Sequence, residues 1–448
     1  MRTSRPALPW PLLALLAACG ATERPDSTTA TSTAVATTAT TPAGDGRFLF
    51  VFAANGKHST MGAGHTHDSV SVAADTVVDS DFLAVIDSDT SSATYAQVVA
   101  TAPTGAVGTM PHHIELEMPT GGRPLVASAY GSGRAYLFDL TDPKRPRITG
   151  TLDTVPGLRT PHSFVRLPDG NVLATMQFGD ARAKGKPGGL ALFSPEGRVV
   201  RSGRSADPTM PGAAIRTYAL DVAPTTDRVI TTSSPMDTER SADVVQLWRL
   251  SDLALLRTIP VPRTTTDTMW HYPFELRFLP DGKTAFMNTY YCAFYAMSGL
   301  DGETPEMERV LALQYPRYNG CGVPLLIGRW WIMPVTDARE FVVLDISNPR
   351  RPRVASTLPT DSTFSPHWIT REPNGTRLVA TSDGPKTSVR LLQFDSTSGR
   401  LTWDERFRER PGGPLGVSFE RATWPHGAAG RAVPHGAVFS RGPARPAS

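Results

Sequence analysis

The sequence predicts an all-β protein, a seven-bladed β-propeller, and three observations lead to this prediction. Short strand-forming runs separated by Gly and Pro turns fill residues 46–441. Similar units begin at intervals of roughly 45 to 57 residues, which is the length of a four-stranded propeller blade. Strand-forming runs without a partner remain at both ends of this region, and pairing them would close a ring without exposed sheet edges.

Several of the repeated units begin with the dipeptide Pro-His. Five of the ten histidines follow a proline, whereas the proline content of the chain predicts roughly one such pair. In three units the histidine leads a β run, a Gly-containing turn and a second β run, which is the pattern of a hairpin. The histidines that follow a proline are His112, His162, His367, His426 and His435.

Six units are complete, and the seventh is divided between the two ends of the chain. The complete units begin near His112, His162, Ala219, Phe274, Cys321 and His367. The divided unit combines β runs at residues 47–52, 82–87 and 95–99 with a last run after His435. If the divided blade is the first, histidines lead blades seven, one, two and three. Because inner strands begin at one mouth of the central channel, we expect four imidazoles to meet there.

A group of imidazoles with few carboxylates nearby favours a transition metal over calcium or magnesium. The alternative is that each histidine only hydrogen-bonds to a neighbouring blade and fills the channel. His113 competes with His112 for the inward position, because alternation along a strand sends neighbours to opposite faces. The sequence does not choose between them. His271 and His426 are additional candidates for the metal shell or for handling protons.

Other polar residues are more ambiguous. Glu115, Asp221 and Glu275 lie on predicted inner strands, where a carboxylate either accepts protons or bridges strands; Glu275 is our catalytic candidate, together with His271. A Gly-rich loop carries His58, His65, His67 and Met61. This loop is either a copper-capturing segment or a surface insertion, and we assign it no role.

The chain has three cysteines, of which Cys292 and Cys321 fall near the mouth that carries the histidines. In an exported protein a disulfide is the expected state of such a pair, and ligation of copper by thiolates is the alternative.

The first nineteen residues have the features of an export signal: basic residues, a short apolar run and Leu16-Ala17-Ala18-Cys19, which is similar to a bacterial lipobox. We expect lipidation at Cys19 and a membrane anchor, with an ordinary secretory signal as the alternative. Residues 20–45, rich in Thr, Ala and Ser, are predicted to form a disordered tether, and residues 442–448 a disordered tail. We expect an exported lipoprotein in the periplasm or on the cell surface, and Gly20 after the cysteine favours anchoring in the outer membrane of a cell that has one.

The composition and motifs exclude several classes of protein. The formal charge of +3 is spread over both signs, without a basic run in the globular region, so nucleic acid is not an expected partner. The sequence contains no phosphate-binding Gly loop, no nucleophile elbow and no zinc-protease helix motif.

Four segments, in order, resemble the selenium-binding proteins, whose bacterial members include the copper-dependent methanethiol oxidases. The segments are residues 81–87 with 95–99, 179–180 with 185–190, 273–279, and 344–353. The resemblance implies a propeller with a histidine-bound copper that oxidises methanethiol, with oxygen and water, to formaldehyde, hydrogen sulfide and hydrogen peroxide. The expected ligands here are His112 or His113, His162, His367 and His435.

The sequence departs from the family pattern in two places. Phe52-Ala53-Ala54 lacks a cysteine near the first strand, and no paired cysteines follow His113. Selenium binding through those thiols is therefore not expected, and another small thiol is an alternative substrate. The alternatives from other classes are a non-enzymatic metal- or protein-binding propeller and a calcium-dependent hydrolytic propeller, which would need an acidic mouth containing Asn.

Overall fold

A computed structural model of the protein describes residues 47–56, 79–180, 186–236, 241–263, 272–315, 320–382 and 384–441. These residues form seven small antiparallel sheets arranged as a seven-bladed β-propeller, which confirms the predicted fold class. The expectations for segments 1–19, 20–45 and 442–448, and for Cys19, His58, His65, His67 and His271, lie outside the described residues. Within the described ranges, no helix is long and apolar enough to cross a bilayer.

Blade one joins the two ends of the chain. Its sheet has the order β29-β30-β1-β2-β3, with bounds β1 (Phe48–Asn55), β2 (Phe82–Asp87), β3 (Val98–Pro103), β29 (Glu420–Arg421) and β30 (Gly430–Phe439). Val438 of β30 pairs with Phe50 of β1. The carboxyl-terminal strand therefore closes the ring, as the unpaired β runs predicted.

The other six blades follow in chain order, each with its first strand innermost. Blade two contains β4 (Pro111–Ile114), β5 (Leu125–Ala129), β6 (Arg134–Asp139) and β7 (Arg147–Thr151). Blade three contains β8 (Arg159–Arg166), β9 (Val172–Phe178), β10 (Gly189–Phe193) and β11 (Val199–Arg204). Blade four contains β12 (Thr217–Ala223), β13 (Arg228–Ser233), β14 (Val244–Arg249) and β15 (Leu255–Pro260). Blade five contains β16 (Pro273–Phe278), β17 (Ala285–Thr289), β18 (Ala293–Ser298) and β19 (Glu306–Ala312). Blade six contains β20 (Leu325–Ile327), β21 (Trp330–Val335), β22 (Glu340–Asp345) and β23 (Arg353–Pro359). Blade seven contains β24 (Pro366–Arg371), β25 (Arg377–Ser382), β26 (Ser388–Asp395) and β27 (Arg400–Trp403), with β28 (Val417–Ser418) beside β26. Two short 3₁₀ turns cover Tyr130–Ser132 and Pro224–Thr226.

The innermost strands share a β-bulge where the Pro-His dipeptides lie. In β4, Pro111 pairs with Ala129 and Ile114 pairs with Ala127. An advance of three residues along β4 therefore matches an advance of only two residues along β5. Each proline is the last paired residue at the edge of its bulge, where a strand tolerates proline, and the histidine that follows it has no partner in the ladder. Corresponding register shifts occur in β8, β12, β16, β24 and β30. The repeated dipeptide therefore marks a repeated bulge.

Side-chain hydrogen bonds hold five of the bulges, and Cys321 of blade six, against the preceding blade. A hydroxyl or amide on the second strand of one blade donates to a carbonyl oxygen at the bulge of the next blade. The six bonds are Ser128 to Pro161 (2.6 Å), Thr175 to Tyr218 (2.7 Å), Thr232 to Phe274 (2.7 Å), Asn288 to Cys321 (3.1 Å), Thr336 to Pro366 (2.8 Å) and Thr381 to His435 (2.7 Å). Each contributes about 0.5–1.5 kcal/mol and fixes the height of an inner strand around the channel.

Two of the carboxylates on or beside the inner strands bridge structural elements. Glu115 accepts hydrogen bonds from Arg166 of blade three at 2.7 and 2.8 Å, and from the Val126 backbone N–H. Asp221 accepts the backbone N–H of Phe278 in blade five at 2.7 Å. Their partners agree with the structural alternative for these two residues, in which the carboxylates bridge strands.

A disulfide joins Cys292 to Cys321, and both residues are fully buried. Cys292 lies between β17 and β18, as expected. Cys321 does not begin the inner strand of blade six, as the sequence suggested; it forms an isolated bridge to Val335, and β20 starts only at Leu325. The intervening Pro324 has no N–H to donate to a ladder, which delays the strand.

Replacing both cysteines, as Cys292→Ala with Cys321→Ala, is expected to lower the free energy of unfolding by about 3–4 kcal/mol. The bridge spans 29 residues, and in the chain-entropy model a loop of this length constrains the unfolded state by roughly that amount. Urea denaturation of the variant, compared with the oxidised and the reduced wild-type protein, measures the effect. Equal transition midpoints for the oxidised protein and the variant would contradict the expected contribution.

Candidate metal centre

Six aromatic rings from consecutive blades surround the channel at the level of the bulges. Successive ring centroids are 4.1–4.8 Å apart, in the order His367, His435, His112, His162, Tyr218 and Phe274. Blade six contributes Gly322 here, where a Cβ would lie 2.7 Å from the His367 carbonyl oxygen. The structure thus brings together the four histidines that were expected to lead blades seven, one, two and three.

His113 also joins this group, so the expectation that only one of His112 and His113 faces the axis is wrong. Their rings are stacked, with centroids 4.6 Å apart and an angle of 8° between the planes. The His113 ring also lies 4.2 Å from that of His162 and 4.9 Å from that of Trp368. The bulge in β4 is the physical reason, because it interrupts the alternation of side chains on which the expectation depended.

Short contacts link three of the imidazoles to one another. The Nε2 atoms of His112 and His162 are 3.0 Å apart. The hydroxyl of Ser163 lies 2.9 Å from Nδ1 of His113 and also 2.9 Å from Nδ1 of His162. The latter nitrogen is 3.1 Å from the carbonyl oxygen of Tyr218. Ser163, the residue after His162, therefore places its hydroxyl between the ring of His162 in blade three and the ring of His113 in blade two.

Burial keeps these histidines in their neutral form. Desolvation lowers the pKa of His112 and of His113 well below the usual value of 6.5, with neighbouring imidazoles as the next cause. Desolvation also lowers the pKa of His162 to about 3, although the Tyr218 carbonyl opposes this shift. Neutral imidazole is the form that binds metals.

The donor atoms fit a transition metal ion. Ligand atoms of His112, His113 and His162 all lie within 4.8 Å of one another, and all three residues are buried. Two nitrogens that share one ion at about 2.0–2.1 Å are roughly 3 Å apart, close to the separation of the two Nε2 atoms. Nδ1 of His112 and Nε2 of His113 are buried without a hydrogen-bond partner in the described part of the chain. An unsatisfied buried polar atom costs about 1–3 kcal/mol, so a partner for either atom would be favourable.

A small aromatic chamber adjoins one side of the ring, and we call it the upper chamber. It has a volume of about 180 Å³. Its described lining includes no Asp, Glu, Lys or Arg; the lining residues are His112, Tyr218, Ser234, Pro235, Met236, Tyr272, Phe274, Tyr290, Gly320, Gly322, Thr336 and His367. The chamber therefore offers an apolar wall next to two imidazoles.

A larger polar cavity lies beyond the ring, and we call it the lower chamber. Its volume is about 550 Å³, and it is bordered by residues further along the same inner strands, including His113, Ser163 and Glu275. Arg277 donates to Oε2 of Glu275 at 2.8 Å, whereas Oε1 is buried without a hydrogen-bond partner among the described residues. Burial raises the pKa of the Glu275 carboxyl, and Arg277 opposes the rise.

The structure does not bring His426 to this cluster, which corrects its candidacy as a metal ligand. Its Nδ1 lies 2.9 Å from the Thr101 hydroxyl on β3, the outermost strand of blade one, and its ring packs on Phe82. The reason is the length of β30, which begins at Gly430 and brings His435, not the preceding turn, to the channel.

Sequence reasoning missed Ser163 and Tyr218. Tyr218 occupies in β12 the bulge position that His162 occupies in β8, so aligning the blades residue by residue could have identified it. Ser163 follows a predicted ligand directly. Its role between two imidazoles depends on the position of His113 in another blade, which no local pattern reports.

Comparisons with known proteins show the fold and no closer relationship. No family model matches the sequence, and no curated protein matches it. Among solved structures, a hypothetical selenium-binding protein from Sulfolobus tokodaii is 15% identical, with a TM-score of 0.66, over 90% of this chain and 95% of that one. The periplasmic gluconolactonase of Pseudomonas aeruginosa is 13% identical, with a TM-score of 0.54, over 86% of this chain and 99% of that one. Similarities this distant establish a shared propeller architecture only.

Proposed function

We propose that this protein binds copper at its histidine cluster and oxidises methanethiol, or a similar small thiol, with oxygen. The observation that carries the proposal is the buried group of neutral imidazoles beside an apolar chamber of about 180 Å³. Imidazole suits copper, zinc, iron and nickel; copper is preferred here because of the four segments that resemble the methanethiol oxidases.

Within this proposal, His112, His162, His367 and His435 would hold the metal, with His113 adjacent. Bound copper would lower the pKa of a thiol and accept its electrons for transfer to oxygen. The chain contributes fixed ligand positions, because four of the inter-blade hydrogen bonds end at the bulges of β8, β12, β24 and β30. Rigid placement of this kind removes the reorganisation that a flexible site would require.

The two chambers would divide the reactants by polarity. The aromatic and Met side chains of the upper chamber favour a small uncharged carbon–sulfur compound over a charged one. The unpartnered Oε1 of Glu275 in the lower chamber is positioned to accept a proton or to orient water. Glu275 therefore keeps its role as the catalytic candidate, whereas His271 lies outside the described residues.

The same proposal includes export and anchoring through Cys19. The disulfide between Cys292 and Cys321 supports this part, because disulfides persist in oxidising compartments and are rare in the cytosol.

The rival hydrolytic function, which would depend on calcium, receives less support. Calcium prefers six to eight oxygen ligands, whereas imidazoles and aromatic rings dominate the histidine level of the channel. The carboxylates of the lower chamber are not clustered as a calcium site, since Glu275 pairs with Arg277 and Asp221 accepts backbone N–H groups.

The deciding experiment measures metal content and then turnover. Protein expressed and purified without added metal, and assayed by plasma mass spectrometry, is expected to carry copper at about one ion per chain. Addition of methanethiol is then expected to release hydrogen peroxide and hydrogen sulfide in equal amounts, since each turnover yields one of each. Calcium in place of copper would instead support hydrolysis, and absence of any metal would support the non-enzymatic scaffold.

A further inference from the structure

The hydroxyl of Ser163 occupies a position that determines where two imidazoles carry their protons. Its oxygen is 2.9 Å from Nδ1 of both His113 and His162. A carbonyl oxygen can only accept, so the 3.1 Å contact between Nδ1 of His162 and the Tyr218 carbonyl requires a proton on that nitrogen. Because Nδ1 of His162 then has no lone pair, Ser163 must accept from it.

The remaining contacts follow from this first assignment. Among the described residues the Ser163 hydroxyl contacts no acceptor other than Nδ1 of His113, so its proton is satisfied only when that nitrogen accepts it and His113 carries its own proton on Nε2. Neutral His162, protonated on Nδ1, has a lone pair on Nε2. In the metal-free protein that lone pair accepts a hydrogen bond from Nε2–H of His112, 3.0 Å away, which leaves the His112 lone pair on Nδ1. A metal ion shared by the two Nε2 atoms would displace this proton.

The two ends of this chain of hydrogen bonds lie at different chambers. His112 borders the upper chamber, and its Nδ1 is buried without a partner among the described residues. His113 borders the lower chamber, and its Nε2 is likewise buried without a partner in the described ranges. In the metal-free protein the first atom carries a lone pair, and the second is an N–H donor, suited to an oxygen acceptor such as water.

We propose that Ser163 is a positioning residue: its hydroxyl accepts from His162, whose tautomer the Tyr218 carbonyl also fixes, and donates to His113, so that His162 serves as a ligand and His113 serves as a hydrogen-bond donor to the lower chamber. Only the identity of the metal rests on the function proposed above. The tautomers themselves are a property of the metal-free protein. Removal of His113 from the ligand set would leave His112, His162, His367 and His435 around the ion.

Nuclear magnetic resonance of metal-free protein labelled with ¹⁵N-histidine tests the tautomers directly. Long-range ¹H–¹⁵N correlations, assigned with His113→Gln and His162→Gln, are expected to show the Nδ1–H form for His162 and the Nε2–H form for His113. A proton on Nδ1 of His113 in the wild-type protein would overturn the proposal. This result requires neither copper nor turnover.

Substitution of Ser163 adds a second readout. In Ser163→Ala, His113 is expected to lose its single tautomer, and the copper(II) affinity measured by titration is expected to fall about 10–100-fold, as when an oriented ligand loses its hydrogen-bond partner. Ser163→Thr keeps a hydroxyl and is expected to restore both properties. The matched control is Thr232→Val, which removes another buried inner-face hydroxyl, whose hydrogen-bond partners are the Phe274 carbonyl and the Ala219 backbone N–H and include no imidazole.

The outcomes separate this proposal from the proposed function. Ser163→Ala with wild-type tautomers and wild-type copper affinity would overturn the role of Ser163. Wild-type protein that shows the expected tautomers and binds no copper would support the positioning role and contradict the oxidase. If Ser163→Ala does not fold, the spectrum of the wild-type protein alone decides.

Discussion

His112→Ala is expected to abolish copper binding and, with it, thiol oxidation. The His112 ring contacts three of the other histidines, with centroids 4.6 Å from His113, 4.8 Å from His162 and 4.1 Å from His435. Loss of even a hydrogen-bond partner of a metal ligand costs about 10–100-fold in affinity, so loss of a central ligand is expected to cost at least about 100-fold. Metal analysis of the purified variant and copper(II) titration measure the effect.

A matched control separates loss of the site from loss of the fold. His426→Ala removes another imidazole that follows a proline, at a position on blade one away from the cluster, and is expected to retain copper and activity. The urea midpoint of each variant reports whether the propeller remains folded. A folded His112→Ala protein with a full complement of copper would exclude the cluster as the metal site.

The metal-free protein is expected to lose stability steeply as the pH falls from about 6.5 to 5. The folded-state pKa values of His112, His113 and His162 lie below the unfolded value of 6.5, so the unfolded chain binds more protons in this range. Stability is therefore complete above pH 6.5 and decreases as the pH approaches the folded values, by about 1.4 kcal/mol per pH unit for each neutral histidine. The three together predict a slope of about 4 kcal/mol per unit.

Buried carboxyl groups oppose this loss of stability as the pH falls. Burial raises the folded-state pKa of Glu115, Asp221 and Glu275, so these groups favour the fold as the pH falls and oppose the histidines in more acidic solution. Urea titrations at pH 7.5, 6.5 and 5.5 in the presence of a chelator measure the slope. His162→Gln, which cannot titrate, is expected to reduce it by about one third. A flat profile in the wild-type protein would show that the imidazoles are protonated in the folded state.

The sequence carried most of the architecture because propeller blades are local units. Each blade is a meander of adjacent strands, so its turns and β runs can be counted along the chain. The divided blade was also predictable, since β1 and β30 would otherwise leave exposed sheet edges. The gathering of His112, His162, His367 and His435 followed from the blade count, because equivalent positions on inner strands lie at the same height in the channel.

Two errors in the prediction of the site have different origins, an irregular strand for one and reliance on a dipeptide for the other. His112 and His113 both reach the cluster because the bulge in β4 adds a residue that the ladder does not use. His426 was considered a ligand from its dipeptide alone, yet it lies ahead of β30, beside Thr101. A bulge depends on the pairing of two strands, and one strand's sequence does not specify it.

The sequence by itself determined the number of blades, the closure of the ring and the gathering of His112, His162, His367 and His435, because these depend on spacing and on the need to bury sheet edges. Only the tertiary structure decided which ring nitrogens contact one another, that Ser163 stands between two imidazoles, and that the cluster separates an aromatic chamber from a polar one. Those features depend on distances of about 3 Å between residues of different blades, and such distances are fixed by packing across the ring.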